Sequence, residues 1–85
     1  MPLVKKDNVL SLVGRLSVDD APDLKHALLD LKEAQSPVLD LRDLEDFDFS
    51  IFQLLFAFWH EAGSVSAIPP LSTRIRKFLE IVEVL

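Results

Sequence analysis

The chain has 85 residues, no cysteine and a formal charge of -5, with 49% hydrophobic and 27% charged residues. That length makes a single domain, residues 1–85, which buries only about 60–65% of the surface its unfolded chain exposes, so modest stability is expected. The composition fits a folded domain rather than a disordered one; the acidic balance argues against nucleic acid or an anionic membrane as partner, and the missing thiols exclude a disulfide frame, a thiolate zinc site and a cysteine nucleophile.

Residues 3–6 and 9–16 flank Asp7-Asn8, a dipeptide that tolerates the positive φ of a two-residue turn, so an N-terminal β-hairpin is predicted. In the longer strand Leu10, Leu12, Gly14 and Leu16 alternate with Val9, Ser11, Val13 and Arg15, which buries one face and leaves the other partly wet. Asp19 or Asp20 then caps a helix that has Pro22 in its first turn and Leu24, Ala27, Leu28, Leu31 and Ala34 as its inward stripe. His26 falls on the opposite face and reads as a solvated side chain beside Asp30. Ser36-Pro37 stops that helix, and Val38-Leu39-Asp40-Leu41 reads as a short buried strand. Residues 42–48 connect this strand to the next helix and carry Asp43, Glu45, Asp46 and Asp48. They lack the glycine and the spacing of an EF-hand loop, so no metal is assigned to them.

The most apolar helix follows. Ser50 and Gln53 have the spacing of a capping box, Phe49 and Leu54 that of a hydrophobic staple, and Gly63 supplies a left-handed stop. Ile51, Leu54, Leu55, Phe58 and Ala62 form the core face. Phe52, Phe56 and Trp59, at i, i+4 and i+7, make a second apolar stripe beside the polar edge of Gln53 and His60. Either a neighbouring helix of the same chain covers that stripe or a partner does, because so short a chain has little left to cover so wide an arc. A strand at 64–68, stopped by Pro69-Pro70, leads to a last helix capped by Ser72, with Ile75, Phe78, Leu79 and Val82 facing inward. Arg74, Arg76 and Lys77 crowd its first turns against the helix dipole, as a solvated face or as the basic half of a contact with an acidic partner. No apolar run approaches the roughly 20 residues of a membrane span, and the charged start has no signal-peptide core, so a soluble cytoplasmic protein is expected.

Hairpin, helix, strand, helix, strand, helix is the order of an α/β domain, with the unit from Val38 to Ile68 as a parallel, right-handed crossover. One mixed sheet with three helices mainly on one face is predicted. Ser50 then lies where a strand ends and a helix begins, the rim at which ligands gather in open α/β sheets.

Here the residues resemble the STAS domain, a family of sulphate-transporter and bacterial anti-sigma-factor antagonist domains. Val9-Leu10-Ser11-Leu12-Val13-Gly14-Arg15-Leu16 looks like its first long strand with its glycine, Val38-Leu39-Asp40-Leu41 like its aspartate-bearing central strand, and 70–79 like its final helix. Asp48-Phe49-Ser50-Ile51 stands where the family has an Asp-Ser-Ser-Gly or Asp-Thr-Gly-Gly turn. The aspartate and second serine are kept, while Phe49 replaces the first serine and Ile51 the glycine.

The resemblance implies a non-catalytic interaction module, without cofactor, that docks a protein partner through Asp48, Phe49, Ser50, Phe52, Phe56 and Trp59. In anti-sigma antagonists the serine matching Ser50 is phosphorylated by a partner kinase, which ends binding; the implied partner is an anti-sigma, histidine-kinase-like ATPase. A second reading is an accessory subunit on the ATPase of a bacterial lipid-asymmetry ABC transporter, and a homodimer is compatible with either. Read from its own position, Ser50 is a plain helix cap, a phosphorylation site or an unmodified contact residue. An enzyme built on the carboxylates from Asp40 to Asp48 would lack a nucleophile, base and orienting group in combination, so none is expected.

Overall fold

Asp7 takes a φ of 55°, and the two-residue turn it opens sets Lys6 opposite Val9. The expected hairpin forms from β1 (Leu3–Lys6) and β2 (Val9–Leu12). In β2, Leu10 and Leu12 are fully buried while Val9 and Ser11 are half-buried, as the alternation requires. The structure is a computed structural model and describes residues 2–61 and 65–81.

The second strand does not run unbroken to residue 16. Val13 N–H donates to Pro2 O at 2.8 Å, and the next amide, Gly14 N–H, turns away to Asp43 O at 2.9 Å. Gly14 makes that switch at a φ of 75°, which side chains beyond glycine rarely adopt. Beyond it β3 (Gly14–Leu16) pairs in parallel with β5 (Leu44–Phe47), setting Leu16 beside Phe47. β5 falls in the stretch expected to be a plain connector. Its Glu45 and Asp46 disfavour a strand, but the open edge of β3 and the burial of Leu44 outweigh that preference.

A 3₁₀ turn, Val18–Asp20, leads into α1 (Ala21–Glu33). Asp20 sits at the cap position, yet its carboxylate accepts the Ser17 N–H at 2.8 Å rather than an amide of α1, which corrects its expected capping role. Leu24, Leu28 and Leu31 are the buried stripe, with Ala27 partly buried beside them. Asn8 ties the hairpin to the loop after α1, donating from Nδ2 to Ser36 O at 2.6 Å. Ser36, like Asp7, has a left-handed backbone, at a φ of 51°.

β4 (Val38–Asp40) pairs in parallel with β2 on one side and with β6 (Ser66–Ile68) on the other, giving a mixed sheet ordered β1-β2-β4-β6. The link from β4 to its parallel neighbour β6 passes through β5 and α2 (Phe49–Glu61). α3 (Thr73–Ile81) closes the described chain. Three helices, a hairpin and parallel strands make this the α/β domain expected, with β3 and β5 as an additional two-stranded ladder beside the mixed sheet. One core unites Leu10, Leu12 and Leu39 of the sheet with Leu24 and Leu31 of α1, Ile51 and Leu55 of α2, and Leu79 of α3. Each such side chain contributes about 1.5–3 kcal/mol by leaving water. Ala62, Gly63, Ser64 and Val82, read as core, helix stop, strand start and core, lie outside the described residues.

Candidate functional site

The rim expected to carry function is where β5 hands over to α2. Asp48 is pinned there from both directions: its N–H donates to Leu16 O at 3.2 Å, and its Oδ1 accepts the N–H of Ile51 at 3.2 Å. Phe52 N–H donates to Asp48 O at 3.1 Å and closes the first turn. Asp48 is therefore the cap of α2, and the capping box assigned to Ser50 and Gln53 does not form. An aspartate caps as well as a serine, and its charge also suits the positive helix end. Ser50 is the second residue within the helix and is half-buried.

Phe49 is 69% exposed. Its ring lies 6.0 Å from that of Phe52, so the staple expected with Leu54 is replaced by an aromatic contact on another face. Phe52 is half-buried at the centre of a run of rings: Phe56 at 5.7 Å on one side and Phe78 of α3 at 5.5 Å on the other. Phe78 in turn meets Phe47 at 6.0 Å, and His60 lies 4.3 Å from Phe56. Phe56 remains 39% and Phe78 43% exposed. Trp59 is half-buried and packs against the core.

The second stripe of α2 is thus divided. Phe52 and Trp59 belong to the margin of the core, with α3 supplying part of the cover, while Phe49 and Phe56 face solvent. Phe78, expected inside, completes the exposed rings, because Ile75 and Leu79, one turn apart, already fill the inward face of α3. That crowding was readable in the sequence, as three apolar residues over 75–79 exceed what one narrow stripe needs.

Ser50 and the rings were expected on one surface, and α2 separates them. At 100° per residue Ser50 and Phe52 point about 160° apart. Ser50 accordingly borders a shallow depression with Val18, Pro22 and Lys25 on the α1 side, whereas Phe49 and Phe52 share a hollow with Phe47 and Phe78 on the α3 side. Asp48, at the helix end, borders the latter.

The acidic residues disperse to separate tasks. Asp40, 8% exposed at the end of β4, holds Arg42 in a two-pronged pair, Nε to Oδ1 at 3.1 Å and Nη2 to Oδ2 at 2.9 Å, and its Oδ1 also accepts the Arg42 N–H. The Arg42 hydrogen bonds hold the Asp40 carboxyl below its ordinary value, against the opposing effect of burial. Asp46 Oδ1 accepts the N–H of Phe47 at 2.9 Å and lies 4.0 Å from Arg74 Nη2. Arg74 also donates to Glu45 O at 3.3 Å, and Arg76 pairs with Glu80 at 3.2 Å. Two of the three cations crowded at the start of α3 therefore have partners within the chain, which offset their unfavourable place on the dipole. Ile75 N–H points to Ser72 Oγ at 3.4 Å, the expected cap of that helix. Among the described residues no three His, Asp or Glu side chains converge on a metal-sized site.

What the rim offers chemically is contact: rings in edge and tilted arrangements beside one capped helix end. No protein-family model matches the chain, and no curated protein matches it. The small α/β fold and the exposed rings therefore carry the functional reading by themselves.

Proposed function

We propose that this chain is a non-catalytic regulatory interaction module of the STAS type, working in the cytoplasm and docking a protein partner through the amino end of α2. The observation that carries the reading is the exposure of Phe49, Phe56 and Phe78, at 69%, 39% and 43%, around the half-buried Phe52. Aromatic rings are enriched in the cores of protein interfaces, where they bury large area with little loss of side-chain freedom. A lone exposed ring needs no explanation, but rings in mutual contact beside a fixed helix end form a patch. The partner class drawn from the resemblance is a histidine-kinase-like ATPase.

Ser50 is the proposed phosphorylation site, and its position changes how a switch would work. The cap belongs to Asp48, so a phosphate would cost the helix no capping bond. It would gain about 0.3–1 kcal/mol from the helix dipole. Against that stands repulsion from the Asp48 carboxylate, about 2 kcal/mol per pair of unit charges at ~8 Å and an effective dielectric near 20. The modification would therefore act through added charge at the start of α2, repelled by Asp48 on one side and facing the depression that Lys25 lines on the other, not by covering the rings on the opposite flank.

Affinity capture from the native host, with Phe49→Ala/Phe56→Ala as the matched control, tests the reading. A histidine-kinase-like ATPase retained by the wild type and lost by the variant, at an unchanged melting temperature, supports it. Recovery of an ABC ATPase through the same rings would transfer the module to a transporter, and equal retention by both proteins would remove the rings from any docking role. Ser50→Asp should release the partner if the switch operates and leave it bound if it does not.

A further inference from the structure

On the flank of α2 that faces away from the rings, the seam with α1 forms an open groove of about 230 Å³. Leu28, Leu54 and Phe58 line its depth, and Lys25, Leu29 and Lys32 stand along its α1 side. Leu29 is 50% exposed there, between two exposed lysines. Lys32 Nζ lies 3.7 Å from Glu61 Oε2 of α2, while among the described residues Lys25 forms no ion pair. Past Lys25 and Leu54 the groove runs on into the depression beside Ser50.

We infer that this groove is a second docking site and that its occupant is an acidic amphipathic helix of a partner protein. Lys25 and Lys32 are seven residues apart, two helical turns or about 10 Å. A helix laid along the groove would repeat acidic residues at the same interval and drop apolar residues at i, i+3 or i+4, and i+7 onto Leu28, Leu54 and Phe58. The lining carries two lysines against one glutamate, and because Glu61 meets Lys32, Lys25 is left to draw an acidic side chain into the groove. The volume is below the about 300–1,000 Å³ that enclose a drug-sized ligand, and the shape is a trough. Two copies joined here would bring together two chains that each carry a net charge of -5, which disfavours self-association. The concave form and the net charge likewise disfavour an anionic membrane.

The inference is independent of the ring patch, which lies on the other side of α2. Its test places a photoreactive benzoylphenylalanine at position 29, where half the side chain is exposed, in the full chain within its native host. Mass spectrometry of the crosslinked product identifies the segment captured. A partner segment with net negative charge and apolar residues at helical spacing, reduced about tenfold by K25E/K32E and kept by K25R/K32R, is the expected result. Capture of a second copy, of lipid, or of a basic or non-helical segment would overturn the inference, as would no capture or a yield indifferent to charge reversal. Melting curves confirm that each variant folds. Adding Phe49→Ala/Phe56→Ala should leave the crosslink in place, so failure of the ring patch and failure of the groove are read separately.

Discussion

Replacing Asp48 with alanine removes the acceptor for Ile51 N–H and the only side chain seen to cap α2 among the described residues. Loss of an N-cap costs about 1 kcal/mol, within a range of roughly 0.5–2, and loss of its charge at the helix end adds about 0.3–1 kcal/mol. In a domain of this size each kcal/mol corresponds to a fall in Tm of about 4–8 °C, so Asp48→Ala, losing about 1.3–2 kcal/mol, should melt about 5–16 °C lower. Asp48→Asn keeps a good cap and gives up only the charge, so it should lose at most about 1 kcal/mol. Ser50→Ala, inside the helix, should stay within about 0.5 kcal/mol of the wild type. Paired thermal and urea melts of the three variants decide the matter. If Ser50→Ala were as damaging as Asp48→Ala, the serine would be the cap after all, and the placement of Ser50 within α2 would be refuted.

Asp40→Asn should lower Tm at neutral pH because it weakens the pair with Arg42 in a buried setting. Since the folded Asp40 is held below its ordinary value of 3.8, its contribution is present above that value and disappears as pH falls through the lower, folded one. The gap between wild type and Asp40→Asn should therefore close only in strong acid, as pH-dependent melts would show; a constant gap would exclude the linkage. Phe52→Ala, at the margin of the core, should cost about 2–3 kcal/mol, whereas Phe49→Ala should cost less than about 0.5, and equal losses in urea melts would mean that the rings are not divided as described. Gly14→Ala should destabilise by about 1–2 kcal/mol although the added carbon meets nothing nearer than Glu45 Oε2 at 3.8 Å, because the cost arises from a φ of 75°; an unchanged melting curve would show that the strand runs straight.

Several elements were legible in the chain because their causes are local. Asp7-Asn8 between alternating runs dictates the hairpin, Pro22 and the leucines three and four apart dictate α1, and Ser72 opens α3. The α/β order and the parallel pairing of β4 with β6 followed from the sequence of elements. The exposure of Phe56 was also recoverable from helical spacing, since α2 carries more apolar residues than one face can bury, whereas Phe49 was expected to staple onto Leu54.

Other features depend on what the chain meets in space. β5 exists because β3 presents an open edge to Leu44 and Phe47, a partner 30 or 31 residues away that overrides the poor strand propensity of Glu45 and Asp46. Two residues, Asp48 and Ser50, could each have capped α2; the hydrogen bond from Asp48 N–H to Leu16 decides for the aspartate, because it fixes where the strand ends and the helix begins. The packing of α3 on one flank and α1 on the other then divides Ser50 from the rings, placing Ser50 on the depression that Lys25 also lines and Phe52 against Phe78 of α3. Periodicity in a sequence says which residues share a face, but which neighbour that face meets is settled only when long-range pairing brings the neighbours together.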